Sequence, residues 1–87
     1  MSQFFLTQDA KSDLFSIRKY TIRRWGTQKA KNYISEMRKI FRNLADNSLM
    51  GMDRPDVGDK VFSFPYVSHV IYYTHVKEGV VVFAVLH

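Results

Sequence analysis

Residues 67–86 read VSHVIYYTHVKEGVVVFAVL, and this stretch decides the fold. Val67 to Val76 is rich in β-branched and aromatic residues, which suit a pleated, half-buried strand. Lys77-Glu78-Gly79 supplies a tight turn, and Val80 to Leu86 returns as the partner strand of a hairpin. An antiparallel hairpin with one wet face alternates apolar and polar side chains. Here Val80, Val82, Ala84 and Leu86 share one parity, Val81, Phe83 and Val85 the other, and all of them are apolar. In the preceding strand Ile71 and Tyr73 point one way, Val70 and Tyr72 the other. The hairpin therefore asks for cover on both faces. Either aromatics from a loop or from the first strand supply the second cover, or an apolar face is left for a partner chain.

Upstream of the hairpin, Lys60 to Pro65 reads as another short strand, with Pro65 marking an edge or an end. Residues 47–59 are loop by composition, holding Gly51, Pro55 and Gly58, with aspartates at 46, 53, 56 and 59 in and beside it. Before the loop the period changes to helical. Ala30, Tyr33, Ile34, Met37, Phe41 and Leu44 lie on one face of a helix that Thr27 can cap and that fades near Asp46-Asn47, with Ile40 at the edge of that face. Ala10, Leu14, Ile17, Thr21 and Trp25 recur at the same spacing in a first helix of about 7–25, with Thr7 offering a cap oxygen and Asp9 a favourable charge. Gly26 between them is suited to a positive φ, so the two helices form an antiparallel hairpin. Phe15 and Ile22, seven apart, fall off the first stripe and raise the question of a partner again. Gln3 to Leu6 is a short strand. The order is β-α-α-β-β-β, an α+β domain spanning 1–87, with a helical hairpin packed on a small antiparallel sheet.

The 87 residues are 46% hydrophobic and 24% charged, which excludes a disordered chain and leaves room for one core. Thirteen Lys and Arg against eight Asp and Glu give a formal +5, unevenly placed. Residues 1–45 carry ten basic and three acidic side chains, net +7, and residues 46–87 three basic and five acidic, net −2. Arg18, Lys19, Arg23 and Arg24 sit where the dipole of the first helix favours cations. Lys29 and Lys31 sit at the wrong end of the second. Lys31, Arg38 and Arg42 line one face, and Arg38/Arg42 is a like-charge pair costing a few tenths of a kcal/mol. That face lies roughly 130° from the apolar stripe, so it is either simply solvated or covered by an acidic protein segment.

Catalytic chemistry is thin. Without cysteine there is no disulfide and no thiolate metal site. His69 and His75 share strand parity but lie about 20 Å apart at ~3.3 Å per residue, too far to share a metal. No paired-carboxylate spacing exists, and no cofactor or metal is expected. Duplex DNA readout lacks a recognition helix, and RNA binding on the sheet lacks cations among the strand aromatics. The N-terminus has no basic signal region, and the longest apolar run, Val80 to Leu86, is far short of the roughly 20 residues that span a membrane. A cytoplasmic protein without a membrane partner is expected.

These residues together resemble the ParE branch of the ParE/RelE toxin–antitoxin superfamily. Thr7-x-x-Ala10-x-x-Asp13-Leu14-x-x-Ile17-x-x-Tyr20-Thr21 is similar to the family's first helix, and Trp25-Gly26-x-x-x-Ala30-x-x-Tyr33 with Phe41-x-x-Leu44-Ala45 to its second. Gly51, Phe64-Pro65, His69-Val70-Ile71-Tyr72-Tyr73 and Val85-Leu86-His87 fit the loop and strands. The resemblance implies a β-α-α-β-β-β fold and a non-catalytic toxin that binds DNA gyrase and blocks replication. It also implies an acidic antitoxin, partly disordered, that forms a hetero-oligomer with the toxin. The antitoxin is expected on Phe15, Ile22, Lys31, Arg38, Arg42, Val81, Phe83 and Val85. The related RelE branch cuts mRNA on the ribosome with strand cations and a C-terminal Tyr or His. Thr74, Phe83 and Ala84 offer no such cation, which leaves His87 as the one RelE-like feature. A basic nucleic-acid module is the remaining alternative. Family members usually continue beyond the Leu-His pair, and a tail there is expected to bear on toxicity more than on the fold.

Overall fold

In the computed structural model, which describes residues 2–87, Gln3–Leu6 forms strand β1, Gln8–Trp25 helix α1 and Thr27–Asp46 helix α2. A 3-10 turn at Ser48–Met50 leads into a two-residue strand, β2 (Met52–Asp53), followed by β3 (Val61–Tyr66), β4 (His69–Val76) and β5 (Gly79–Leu86). The strands form one sheet in the order β1-β5-β4-β3-β2. β2 lies inside the stretch expected to be loop. The hairpins are antiparallel, but β1 pairs parallel with β5, from Gln3↔Gly79 to Leu6↔Val82, so the sheet is mixed. An apolar pattern carries no information on strand direction, and this pairing joins the two ends of the chain.

Local chemistry sets the helix ends. Thr7 Oγ1 accepts from the Ala10 N–H at 3.1 Å, and Asp9 sits in the first turn of α1. Gly26, at φ 94°, ends α1 by donating to the Ile22 carbonyl at 2.8 Å and starts α2 by accepting from Ala30 at 3.2 Å. Thr27 is therefore the first helical residue and not the cap it was expected to be: Gly26 occupies the cap position, with no side-chain hydrogen bond. Only glycine holds a φ of that sign without a Cβ penalty, so one residue suffices for the turn.

The helices cover one face of the sheet. Leu14, Ile17, Met37, Phe41 and Leu44 pack on Ile71, Tyr73, Val80 and Val82, with Phe4 edge-on to Phe41 at 5.4 Å between centroids. Trp25, expected at the end of the buried stripe, is instead 57% exposed. Arg24 and Trp25 in the last turn of α1 line an open cavity together with Val67 and Ser68, and Trp25 is not part of the core cluster.

A bulge corrects the face assignment of β5. Tyr73 opposes Val82 but Tyr72 opposes Ala84, which leaves Phe83 as the extra residue. Past that point inward parity moves by one position. Val85, opposite Ile71, is only 3% exposed and belongs to the core, not to the face of Val81 and Phe83. Ala84 and Leu86 accordingly leave the face of Val80 and Val82 and turn outward with Tyr72 and Val70. The Val85 N–H beside the bulge donates to the Asp13 carboxylate at 2.9 Å.

The outer face is covered over part of its area. Arg54 donates to Asp56 through two nitrogens at 3.0 and 2.9 Å and to Ser63 Oγ at 3.2 Å, and its guanidinium lies over the Tyr72 ring. The Arg54 hydrogen bonds hold the Asp56 carboxyl below the usual range. This loop buries Val61 and Ser63. It leaves the β1–β5 side open, with Phe5 and Leu86 exposed and Val81 and Phe83 half-buried.

Candidate functional site

Concave surfaces lie on two sides of the helical hairpin. The first is a groove of about 510 Å³ along its outer side, lined by Arg18, Lys31, Ile34, Arg38, Lys39 and Arg42 together with Thr27 and Ser35. Lys31, Arg38 and Arg42 recur along α2, so the expected basic face becomes one wall, and Arg18 brings a cation from α1. Phe15, Arg18 and Ile22 follow i, i+3, i+7 spacing and share one face of α1, which places the two off-stripe apolar residues beside the groove. Phe15 is 60% exposed, with the Lys19 ammonium over its ring at 5.6 Å. Among the described residues no acidic side chain lines this groove, and Lys39 pairs with Glu36 at 3.2 Å. Both of those side chains are exposed, so the pair contributes little. The Arg38 guanidinium lies 5.4 Å from the Phe4 centroid, so the groove reaches β1 at the sheet edge.

The expected partner-binding residues thus fall into three places. Phe15, Ile22, Lys31, Arg38 and Arg42 lie on or beside the groove. Val81 and Phe83 face away from the helices, on the open part of the outer sheet face. Val85 is interior and is withdrawn as a contact residue, because the bulge turns it toward Ile71. Arg18, Ile34 and Lys39 were not expected in the groove. The spacing of Arg18 with Phe15 and Ile22 was the available signal.

The second surface is a cavity of about 670 Å³ at the Gly26 end of the hairpin, lined among others by Arg24, Trp25, Lys29, Tyr33, His69 and His87. Tyr33 Oη lies 2.7 Å from His69 Nδ1, and the His69 and His87 rings meet edge to face at 5.4 Å. Burial, then the neighbouring His87, pushes the His69 pKa down. Burial, then Tyr33 and Glu36, pushes the Tyr66 phenol up. His75 lies at the other end of β4, stacked on Phe62 and hydrogen-bonded to the Ser48 carbonyl at 2.8 Å, so the two strand histidines stay apart as expected. No group of three or more potential metal ligands forms among the described residues. No helix among them is long and apolar enough to cross a membrane. The cavity draws on α1, α2, the β3–β4 turn and the end of β5, a combination no sequence spacing encodes.

Two helices on one face of a mixed sheet, with a cationic groove outside and an open apolar patch on the far face, define a small α+β domain of the RelE/ParE type. The model of the family described as "ParE toxin of type II toxin-antitoxin system, parDE" matches residues 4–87, and the chain belongs to that family. It is 30% identical over 87 residues to Toxin ParE1 of Caulobacter vibrioides, covering 100% of this chain and 90% of that protein. Its fold is similar to a chain of the chromosomal ParDE TA system from P. aeruginosa, with a TM-score of 0.83, 16% identity, and 100% and 96% of the two chains covered. It is therefore a ParE-type toxin of a type II toxin–antitoxin system.

Proposed function

We propose that this toxin acts by binding DNA gyrase and blocking replication, and that an acidic antitoxin neutralises it by lying along the α1–α2 groove. One observation supports the antitoxin part above others: Arg18, Lys31, Arg38, Lys39 and Arg42 line a single groove together with Ile34, and Phe15 and Ile22 share the face of α1 that bears Arg18. Crowded cations repel one another in the free protein, and an acidic amphipathic segment relieves that repulsion while covering those apolar side chains. Val81 and Phe83 supply a second apolar contact on the outer sheet face. The gyrase part rests on membership of the ParE family, whose toxins act as binding poisons without catalysis. Action on gyrase places the protein in the cytoplasm.

Two measurements test the halves separately. A variant carrying Phe15→Ala, Ile22→Ala, Arg38→Glu and Arg42→Glu should bind the cognate antitoxin at least about 100-fold more weakly, roughly 2.7 kcal/mol. Unchanged affinity removes the groove as the interface. The purified protein should inhibit gyrase supercoiling or accumulate linear cleaved plasmid. A folded toxin that does neither rules out the gyrase part.

A further inference from the structure

We propose that the cavity at the Gly26 end of the hairpin binds single-stranded nucleic acid, an unpaired base stacking on Trp25 and the adjoining phosphates sitting on Arg24 and Lys29. The inference does not rest on the gyrase or antitoxin readings. It starts from Trp25, an indole left 57% exposed with Tyr20 59% exposed a turn earlier on the same helix. Two cations lie on that indole, the Arg24 guanidinium at 5.6 Å and the Lys29 ammonium at 5.3 Å from the ring centroid. A stacked base takes the place of these two flexible side chains on the ring and leaves them for its flanking phosphates, the pairing of aromatic face and positive charge that a sequence-tolerant single-strand site requires. The sequence offered no such interleaving on the strands. The fold places it instead at the helix ends, where Tyr20, Arg23, Arg24 and Trp25 sit within six residues of α1.

The space has the right extent. The cavity of about 670 Å³ adjoins another of about 560 Å³, which shares Tyr20, Arg24 and Trp25 and adds Arg23. Two joined compartments on one aromatic platform suit consecutive nucleotides better than a free mononucleotide. At the inner end, Tyr33 Oη engages His69 Nδ1, so what His69 offers a ligand is Nε2, with the His87 ring against it. Glu36 is the one acidic side chain among the lining residues. An acidic peptide without aromatic side chains would satisfy the cations but leave Tyr20 and Trp25 without a stacking partner. A nucleic acid strand uses both. The required chemistry, unpaired bases on a phosphodiester chain, is common to DNA and RNA.

Trp25 is the single tryptophan of the chain, so its fluorescence reports the site directly. Full-length protein is titrated at low salt with decathymidylate, decauridylate and a deca-glutamate peptide. Saturable quenching by at least one oligonucleotide, much weaker with the peptide, supports the proposal, and the preferred sugar identifies the source. Arg24→Glu with Lys29→Glu should weaken binding at least about tenfold and flatten the log–log salt slope by about 1.4, two phosphate contacts at roughly 0.7 each. Arg38→Glu with Arg42→Glu, on the other side of the hairpin, should change it less than about threefold. With a labelled oligonucleotide, Trp25→Phe should retain more affinity than Trp25→Ala. The proposal is overturned by absence of saturable quenching, by equal affinity for the peptide, or by equal losses from the two charge-reversed pairs. Every substituted side chain is exposed, and an unchanged melting curve confirms that each variant is folded.

Discussion

Replacing Tyr73 by Phe tests how the chain between the helical and sheet halves is held. The Tyr73 ring is fully buried, and its hydroxyl donates to the Ser48 carbonyl at 3.0 Å while accepting from the Gly51 N–H at 2.9 Å. The ring stays in Tyr73→Phe, so no cavity forms and only the two hydrogen bonds are lost. Each is worth about 1 kcal/mol net, and a donor left unsatisfied inside costs more. The losses are unequal. The Ser48 carbonyl keeps a second partner in His75 Nε2 at 2.8 Å, whereas the Gly51 N–H loses its acceptor. A loss of about 1.5 kcal/mol results, equivalent to a fall of about 6–12 °C in Tm for a domain of this size. Urea titration should give a lower midpoint with an unchanged slope. The double variant Tyr73→Phe with His75→Ala should lose at least about 0.5 kcal/mol more than the sum of the single losses, because Ser48 then loses both donors. A Tyr73→Phe loss below about 0.5 kcal/mol, or strict additivity, refutes this account.

The β5 bulge predicts unequal outcomes at neighbouring positions: Val85→Asp should lose more than about 3 kcal/mol, by burying an unpaired charge, while Phe83→Asp, half-buried beside Tyr72 on the outer face, should lose only about 1–1.5 kcal/mol and keep a cooperative thermal transition. Asp13→Ala should cost about 1–2 kcal/mol by urea titration, since the Val85 N–H loses its acceptor. The lowered pKa of His69 means that the unfolded chain takes up a proton more readily than the folded one. Stability should therefore hold above pH about 6.5 and decline as the pH falls from there toward the depressed folded value. Thermal melts of His69→Gln should show a flatter profile over that window, and parallel profiles would remove His69 as the source.

What could be read from the sequence was local. Each helix turns a stripe of 3.6-residue period inward, buried from Ala10 to Thr21 and, with Tyr33 and Ile34 partly buried, running from Ala30 to Leu44, so both helices and most of the core were legible. The strand period was legible only up to the bulge. One extra residue at Phe83 inverts parity for the rest of β5, and in a run where every residue is apolar nothing marks the slip. The parallel β1–β5 pairing was hidden for a different reason, since it joins residues more than seventy positions apart. The groove was half legible. Lys31, Arg38 and Arg42 are related by the period of one helix, while Arg18 depends on how α1 is rotated against α2. The second cavity was not legible at all, because Trp25, Tyr33, His69 and His87 meet only through the tertiary fold.

The two expected contact patches lie on opposite faces of the sheet, which limits what kind of chain can occupy both. The cationic groove is on the helix side, whereas Val81 and Phe83 point the other way. A rigid globular partner seated on one patch cannot reach the other. The short route between them crosses β1, the sheet edge, where Phe4 lies beneath Arg38 on the helix side and Phe5 stands beside Val81 on the far side. The molecule is 22 Å across its shortest dimension, a distance that about seven extended residues cover at roughly 3.3 Å each. The free edge of β1 also carries unpaired backbone groups, on which an extended chain can add as a strand while it crosses. An antitoxin segment that occupies both patches is therefore polar in a directional sense. Its acids belong in the half that follows α2 past Lys31, Arg38 and Arg42, and its apolar residues in the half that passes Phe5 to reach Val81 and Phe83.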